Sequence, residues 1–221
     1  VSTDSVPPHL MTCRTIDKAQ YVARFAVVSA LADILAMGGR PIGLLVNVHT
    51  GRRTSVGWIR ALLLEVAKEA DKYGTVVLGG DLKERSYDSV TTVALGTVSH
   101  GVELTRSGAK PGDYLAITDS SCGKKVFGAR WAQELVPFLS LEERSLIVEI
   151  LRRDARATDL SLPCSLVSTV ASARVATAAI DTSDGLLACA ELIGKASDVG
   201  VEFSVPALEN LLDPGVVSLA R

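Results

Sequence analysis

Aromatic residues make up only 5% of the 221 residues, which argues against an aromatic-rich β-sandwich or a ring-lined peptide groove. A basic excess is missing too: 23 Lys and Arg face 25 Asp and Glu, for a formal net charge of −2. That balance supplies none of the positive footprint that nucleic acid or an anionic membrane surface calls for. The four cysteines, Cys13, Cys122, Cys164 and Cys189, stand far apart, with no CxxC pair and no histidine spaced for zinc. They read as reduced, mostly buried thiols, which favours the cytosol. No segment reaches the roughly 18 uninterrupted apolar residues of a membrane helix, and no basic-then-apolar leader opens the chain. A cytoplasmic protein with neither a nucleic-acid nor a membrane partner is expected. The common nucleotide loops are absent as well, since there is no GxxxxGK[ST] and no GxGxxG opening a helix. Gly123-Lys124-Lys125 lacks the rest of such a loop and reads as a helix start.

What the chain does have is 48% hydrophobic residues, mostly Ala, Val and Leu, which suits helices packed on a sheet and predicts an α/β class. Apolar spacing predicts a helix over Asp17 to Met37, stopped by Gly38-Gly39 and Pro41, and an amphipathic helix over Thr54 to Lys72. Ile42 to Val48 and Thr75 to Leu78 read as strands, the latter buried and ending at Gly79-Gly80-Asp81, and Ser89 to Val98 is β-rich. The turn-forming run Arg106 to Asp113 predicts a domain junction, dividing the chain into residues 1–103 and 104–221. Beyond it, Tyr114 to Thr118 and Ala176 to Ile180 read as strands, and Lys124 to Leu135, Leu141 to Asp154 and Leu186 to Ser197 as helices. The second half stops early for a complete domain, and Val1 carries no initiator Met. The numbering is therefore expected to start inside a longer gene product.

Three acids sit where packing alone would not put them. Asp33 is embedded in the apolar helix end Ala30 to Met37, where an unpaired carboxylate would cost several kcal/mol on desolvation, so it needs a cation or donors. Asp81 follows two glycines at a strand end, the edge where open α/β sheets bind ligands. Asp184 precedes a helix. Taken singly these have bland explanations: an arginine partner for Asp33, a turn for Asp81, a helix cap for Asp184. Asp4 and Asp181 repeat the pattern of an acid after a hydrophobic segment. Acids gathered at one edge would repel unless divalent cations joined them, and oxygen-only ligation suits Mg²⁺ holding a polyphosphate.

Five blocks occur in order: Val1-Ser2-Thr3-Asp4, Ala32 to Pro41, Gly79-Gly80-Asp81, Leu104 to Asp113 and Ile180 to Leu186. Together they resemble the marker segments of the aminoimidazole-ribonucleotide synthetase superfamily, and the Thr105 to Asp113 block and the Trp58 helix resemble its thiamine-monophosphate kinases. The resemblance implies a two-domain fold whose second domain is incomplete here, Mg²⁺ and ATP as ligands, and a homodimer formed through the first domain. It makes Thr3, Asp4, Asp33, Asp81, Asp181 and Asp184 magnesium ligands, with Ser2 as a further one. Asp33, Asp81 and Asp184 are the candidate catalytic residues, and Arg106, Ser183, Gly79 and Gly80 are candidate ATP contacts. A guanidinium can hold phosphate oxygens in a fork, and a hydroxyl near a helix N-terminus suits an anion; for Arg106 a surface ion pair is the bland alternative.

The activity implied is transfer of the ATP γ-phosphate to a phosphorylated small molecule. The alternatives are an ATP-dependent amide- or carbonyl-activating ligase or dehydratase of the same superfamily, and a non-catalytic nucleotide-binding homologue. Departures bear on the acceptor. His9, the candidate substrate contact, stands two places early in Val6-Pro7-Pro8-His9-Leu10-Met11, and Leu82-Lys83-Glu84 replaces a Thr-rich stretch. Arg156 to Pro163 replaces a Pro-Thr-Pro-Arg-like segment. His49 and His100 are expected at strand ends, solvated in loops, and Cys189 in a core.

Overall fold

Trp58, Leu62, Val66 and Ala70 recur at helical spacing, and all four are fully buried. They form the inner stripe of α3 (Val56–Lys72), whose first turn is capped by Ser55 accepting the Trp58 N–H at 3.1 Å. The computed structural model describes residues 1–11, 19–118 and 161–211, which fall into two compact units.

The first unit comprises residues 1–104 and 160–176. Its described elements are β1 (Ser2–Ser5), α1 (Pro8–Met11), α2 (Ala19–Ala36), β2 (Arg40–Thr50), α3, β3 (Val77–Glu84), β4 (Ser89–Thr97) and α4 (Ser161–Ser172). The sheet runs in the order β1-β4-β2-β3, with β2 and β3 parallel and the other neighbours antiparallel. α3 is the crossover between the two parallel strands, as such a connection requires. α2 and α3 pack on one face, over Leu44, Val46, Val48, Val90, Thr92 and Ala94. By length and composition α2 could cross a membrane, yet ten of its residues are buried in this core. Its end is set by Gly38, whose φ of 73° only glycine adopts cheaply and whose missing side chain leaves room for Ala171 of α4.

The opposite face of the sheet carries no helix among the described residues. Leu45 and Asn47 of β2 are exposed there, and Thr91 and Val93 of β4 are half-exposed. β3 is an edge strand whose eight residues are all exposed. This corrects the expected buried strand over Thr75 to Leu78. The apolar run Thr75 to Leu78 suggested a strand covered on both sides, but pairing with β2 carries the ladder on to Glu84, so that Asp81 lies within the strand and not after it.

The second unit comprises residues 105–159 and 177–221, and its described elements are α5 (Leu186–Ser197) and α6 (Val205–Leu211). The strands expected at Tyr114 to Thr118 and Ala176 to Ile180 do not form among the described residues. Apolar residues make a strand only when a ladder is available, and among the described residues the backbone bond given for these segments joins Ala179 N–H to the Thr105 carbonyl at 2.9 Å. Tyr114 is 98% exposed. The helices expected over Lys124 to Leu135 and Leu141 to Asp154 lie outside the described residues.

Candidate active site

The first unit brings together part of the predicted acid set at the β1 edge. Strand alternation turns Ser2 and Asp4 toward the helix-covered face, since they pair with the buried Ala94 and Thr92. Asp33, on the last turn of α2, meets them there: the Ser2 hydroxyl donates to the Asp33 carboxylate. The half-buried Asp33 thus takes a hydroxyl partner, not the arginine considered from sequence. Asp4 also accepts the Ser5 N–H at 2.7 Å. All the donors are oxygen, two of them carboxylates, a set that fits Mg²⁺. Thr3 does not join them, because its side chain is exposed on the other face, paired with Val93.

Asp81 stands apart. It pairs with Asn47 across β2 and β3, and therefore faces the uncovered side of the sheet. Three strand spacings, about 14 Å, separate β1 from β3, and Asp81 is level with Ser5 and not with Ser2, so it lies farther than that from the Ser2–Asp33 pair and on the opposite face. The expectation of acids gathered at one edge does not hold within one copy of this unit. Among the described residues no three His, Cys, Asp or Glu side chains come close enough to hold a metal. Asp81 instead contacts Lys83, whose ammonium lies 2.9 Å away and whose hydrogen bond holds the carboxyl below its ordinary range. Lys83 belongs to the departure noted after Gly80-Asp81, and its pairing follows from strand alternation, which puts both residues on one face.

Gly80 and Gly79 differ in role. A Cβ on Gly80 would lie 1.9 Å from the Val46 carbonyl oxygen, whereas one on Gly79 would meet nothing nearer than 3.9 Å. Gly80 is required for β3 to dock on β2.

The second unit places Asp181, Ser183 and Asp184 just before the start of α5, whereas the backbone of Arg106 is held at the far end of that helix. The helix is capped by Gly185, at φ 95° and without a side-chain bond, so Asp184 is not its cap. Asp181 accepts the Ser183 N–H at 3.3 Å, and its carbonyl takes the Cys189 thiol at 3.1 Å. Cys189 is buried, as expected, and burial pushes its thiol above the ordinary value, which suits packing and not nucleophilic attack. Arg106 is exposed, and its guanidinium has no ion pair among the described residues.

The loop bearing Arg106 is fastened to the far end of α5. The Ser197 hydroxyl accepts the N–H groups of Gly108 and Ala109, each at 3.1 Å. Gly108, at φ 125°, has no room for a Cβ, which would sit 2.4 Å from the Thr177 carbonyl oxygen. Asp113 closes the turn, accepting the Lys110 N–H at 2.9 Å and the Thr177 hydroxyl at 2.6 Å. No sequence signal singled out Ser197 or Thr177. His9 lies in α1, its side chain outside the described set. His49 lies at the end of β2, at a strand end as expected, but it is half-buried, edge-on to Tyr87 with ring centroids 5.9 Å apart and 3.2 Å from the Ser89 hydroxyl.

Residues 1–99 match the family model of the AIR synthase related protein, N-terminal domain. The chain is 32% identical over 190 residues to the thiamine-monophosphate kinase of Mycobacterium tuberculosis, covering 86% of this chain and 53% of that protein. It thus spans about half the length of this curated relative. Among solved structures, the thiamine monophosphate kinase of Aquifex aeolicus superposes with a TM-score of 0.71 at 20% identity, over 88% of this chain and 62% of that one. Escherichia coli HypE, a hydrogenase maturation protein, superposes at 0.72 and 17% identity, over 99% and 64%. Four-strand sheet, ordered blocks and family match agree that residues 1–99 are an AIR synthase-related N-terminal domain, and the chain shares the mixed α/β fold of these solved structures.

Proposed function

We propose that this chain is part of a cytoplasmic, magnesium-dependent kinase that transfers the γ-phosphate of ATP to a phosphorylated small-molecule acceptor, thiamine monophosphate or a close analogue. The observation that carries the reading is the Ser2–Asp33 contact beside Asp4, an oxygen-only donor set built by an edge strand and an apolar helix. The sequence likeness to a protein named thiamine-monophosphate kinase supports the choice of acceptor. In this reading residues 1–103 form the ATP- and magnesium-binding and dimerisation domain and residues 104–221 part of the second.

Magnesium, when bound, neutralises phosphate charge and orients the triphosphate. Within the first unit Ser2, Asp4 and Asp33 would hold it, and within the second Asp181 and Asp184 are the carboxylates that would take a magnesium ion. Arg106 grips phosphate oxygens in a fork, and Ser183 offers a hydroxyl to them. The acceptor's phosphate oxygen then attacks the γ-phosphorus in line, the bond to the β-phosphate oxygen breaks, and ADP leaves. The protein positions and neutralises; it forms no covalent intermediate.

Asp81 acts from a second copy. It faces the uncovered side of the sheet, far from the Ser2–Asp33 pair of its own chain, and an exposed face with an open edge strand needs covering. A homodimer formed across that face supplies the cover.

The test is a mass-spectrometric product assay on the full-length protein with Mg-ATP and thiamine monophosphate, beside Asp81→Asn. Thiamine diphosphate and ADP formed by the wild type alone support the proposal. Nucleotide binding without that product overturns the acceptor, and inorganic phosphate with an aminated or dehydrated product points to the ligase or dehydratase chemistry.

A further inference from the structure

The loops that follow β2 and β3 enclose an open cleft of about 620 Å³ at the C-terminal ends of the two parallel strands. Three arginines line it, Arg52 and Arg53 from the first loop and Arg85 from the second. Only one is matched by an acid: Arg52 Nε lies 2.8 Å from Glu84 Oε1. Arg85 gives Nη1 to the Glu84 backbone carbonyl at 3.1 Å. Arg53 has no hydrogen bond or ion pair to a described residue.

The other acid at the cleft, Asp88, is engaged in holding the loops. Its Oδ1 accepts the Gly51 N–H and the Thr54 hydroxyl, both at 2.7 Å. A backbone bond from the Arg85 N–H to the Thr50 carbonyl at 2.9 Å adds a second staple. The rim is thus braced before any ligand arrives, which lowers the ordering cost of binding. Three cations face two acids, and two of the guanidinium groups, those of Arg53 and Arg85, pair with no carboxylate among the described residues. Like charges held at one rim repel, and an oxyanion received in forks relieves that repulsion. The parallel-strand edge is also where open α/β sheets bind their ligands.

We propose that this cleft is a binding site for a small phosphate-class anion, inorganic or carried on a metabolite, gripped by Arg53 and Arg85 with Arg52 and Glu84 closing the rim. The site is separate from the Ser2–Asp33 half-site. It needs no magnesium, because its positive charge is the protein's own.

That independence gives the test. Full-length protein in EDTA is titrated with pyrophosphate at low ionic strength by isothermal calorimetry, so that magnesium-dependent nucleotide binding is silent. Saturable binding is expected, weakened at least tenfold in R53Q/R85Q and unchanged in Asp33→Asn. Amide shifts on pyrophosphate addition should centre on Arg52, Arg53 and Arg85, a readout that does not depend on the variant. Glycerol phosphate in parallel separates the two sources: tighter pyrophosphate binding assigns an inorganic or terminal polyphosphate, and the reverse assigns a phosphomonoester. No saturable binding, equal binding by the double variant, or citrate bound as tightly as pyrophosphate overturns the proposal.

Discussion

Ser197, the last residue of α5, donates its hydroxyl to the backbone carbonyl of Arg106 at 3.2 Å, a contact spanning 91 positions of sequence. One oxygen thereby serves three backbone groups of the loop that carries the candidate phosphate-binding guanidinium, since a hydroxyl donates once and accepts twice. Ser197→Ala should cost about 1 kcal/mol of stability. In steady-state kinetics it should raise the KM for ATP severalfold with a smaller effect on kcat, because it loosens the loop without touching the reacting atoms. An unchanged KM would show that Arg106 is placed by other means.

The two glycines before Asp81 should separate cleanly. Gly80→Ala forces its methyl into the Val46 carbonyl, and overpacking of this kind costs about 1–3 kcal/mol or more. That corresponds to a melting-temperature loss of several degrees for a chain of this size, on the scale of about 2–4 °C per kcal/mol. Gly79→Ala, whose methyl meets nothing nearer than 3.9 Å, should melt about 1–4 °C above wild type, because it removes glycine's freedom in the unfolded chain. Equal melting of the two variants would refute the close approach of β3 to β2.

Asp33→Asn keeps the shape of the side chain and its bond to Ser2 but removes the charge. The fold should survive, and magnesium-dependent ATP binding measured by calorimetry should fall by at least tenfold. Retained binding would place the metal elsewhere.

Asp113 offers a pH readout. The Thr177 hydroxyl first, and then the Lys110 N–H, hold its folded pKa below the ordinary 3.8. A depressed acid adds stability that is present above its unfolded value and is lost as pH falls through the folded one. The Asp113 contribution should therefore be complete at neutral pH and disappear below about 3.8, the ordinary value from which it is lowered. Thr177→Val should raise the Asp113 carboxyl toward the ordinary value, as followed by carbon-detected NMR titration.

Mixing inactive chains tests the proposal that Asp81 acts from a second copy. Heterodimers of Asp33→Asn with Asp81→Asn should regain close to half of wild-type activity per dimer, because one of the two sites inherits both intact acids. No recovery would mean that Asp81 serves its own chain.

Helices were the most legible elements. α5 occupies the predicted Leu186 to Ser197, and α3 starts two residues after the predicted Thr54, where Ser55 takes the cap. Their periodicity belongs to one segment, so a single sequence shows it. Strands answer to their partners, and Tyr114 to Thr118, apolar but without a ladder among the described residues, forms no strand there. The need of Asp33 for a partner was readable from its apolar surroundings, but the partner's identity depended on β1 pairing with β4. That Asp81 would land on the opposite face from Asp4 followed from register alone, which no motif encodes. Ser197 was invisible because a serine at a helix end resembles any other.

The bare face of the sheet ties folding to abundance. Among the described residues α2 and α3 cover one side of the sheet and β3 stays open, so in the proposed homodimer the second copy would complete the core. The melting temperature of the chain should climb with protein concentration, as mass action demands of an assembly that folds and associates together. Dilution should act on it as a mild denaturant.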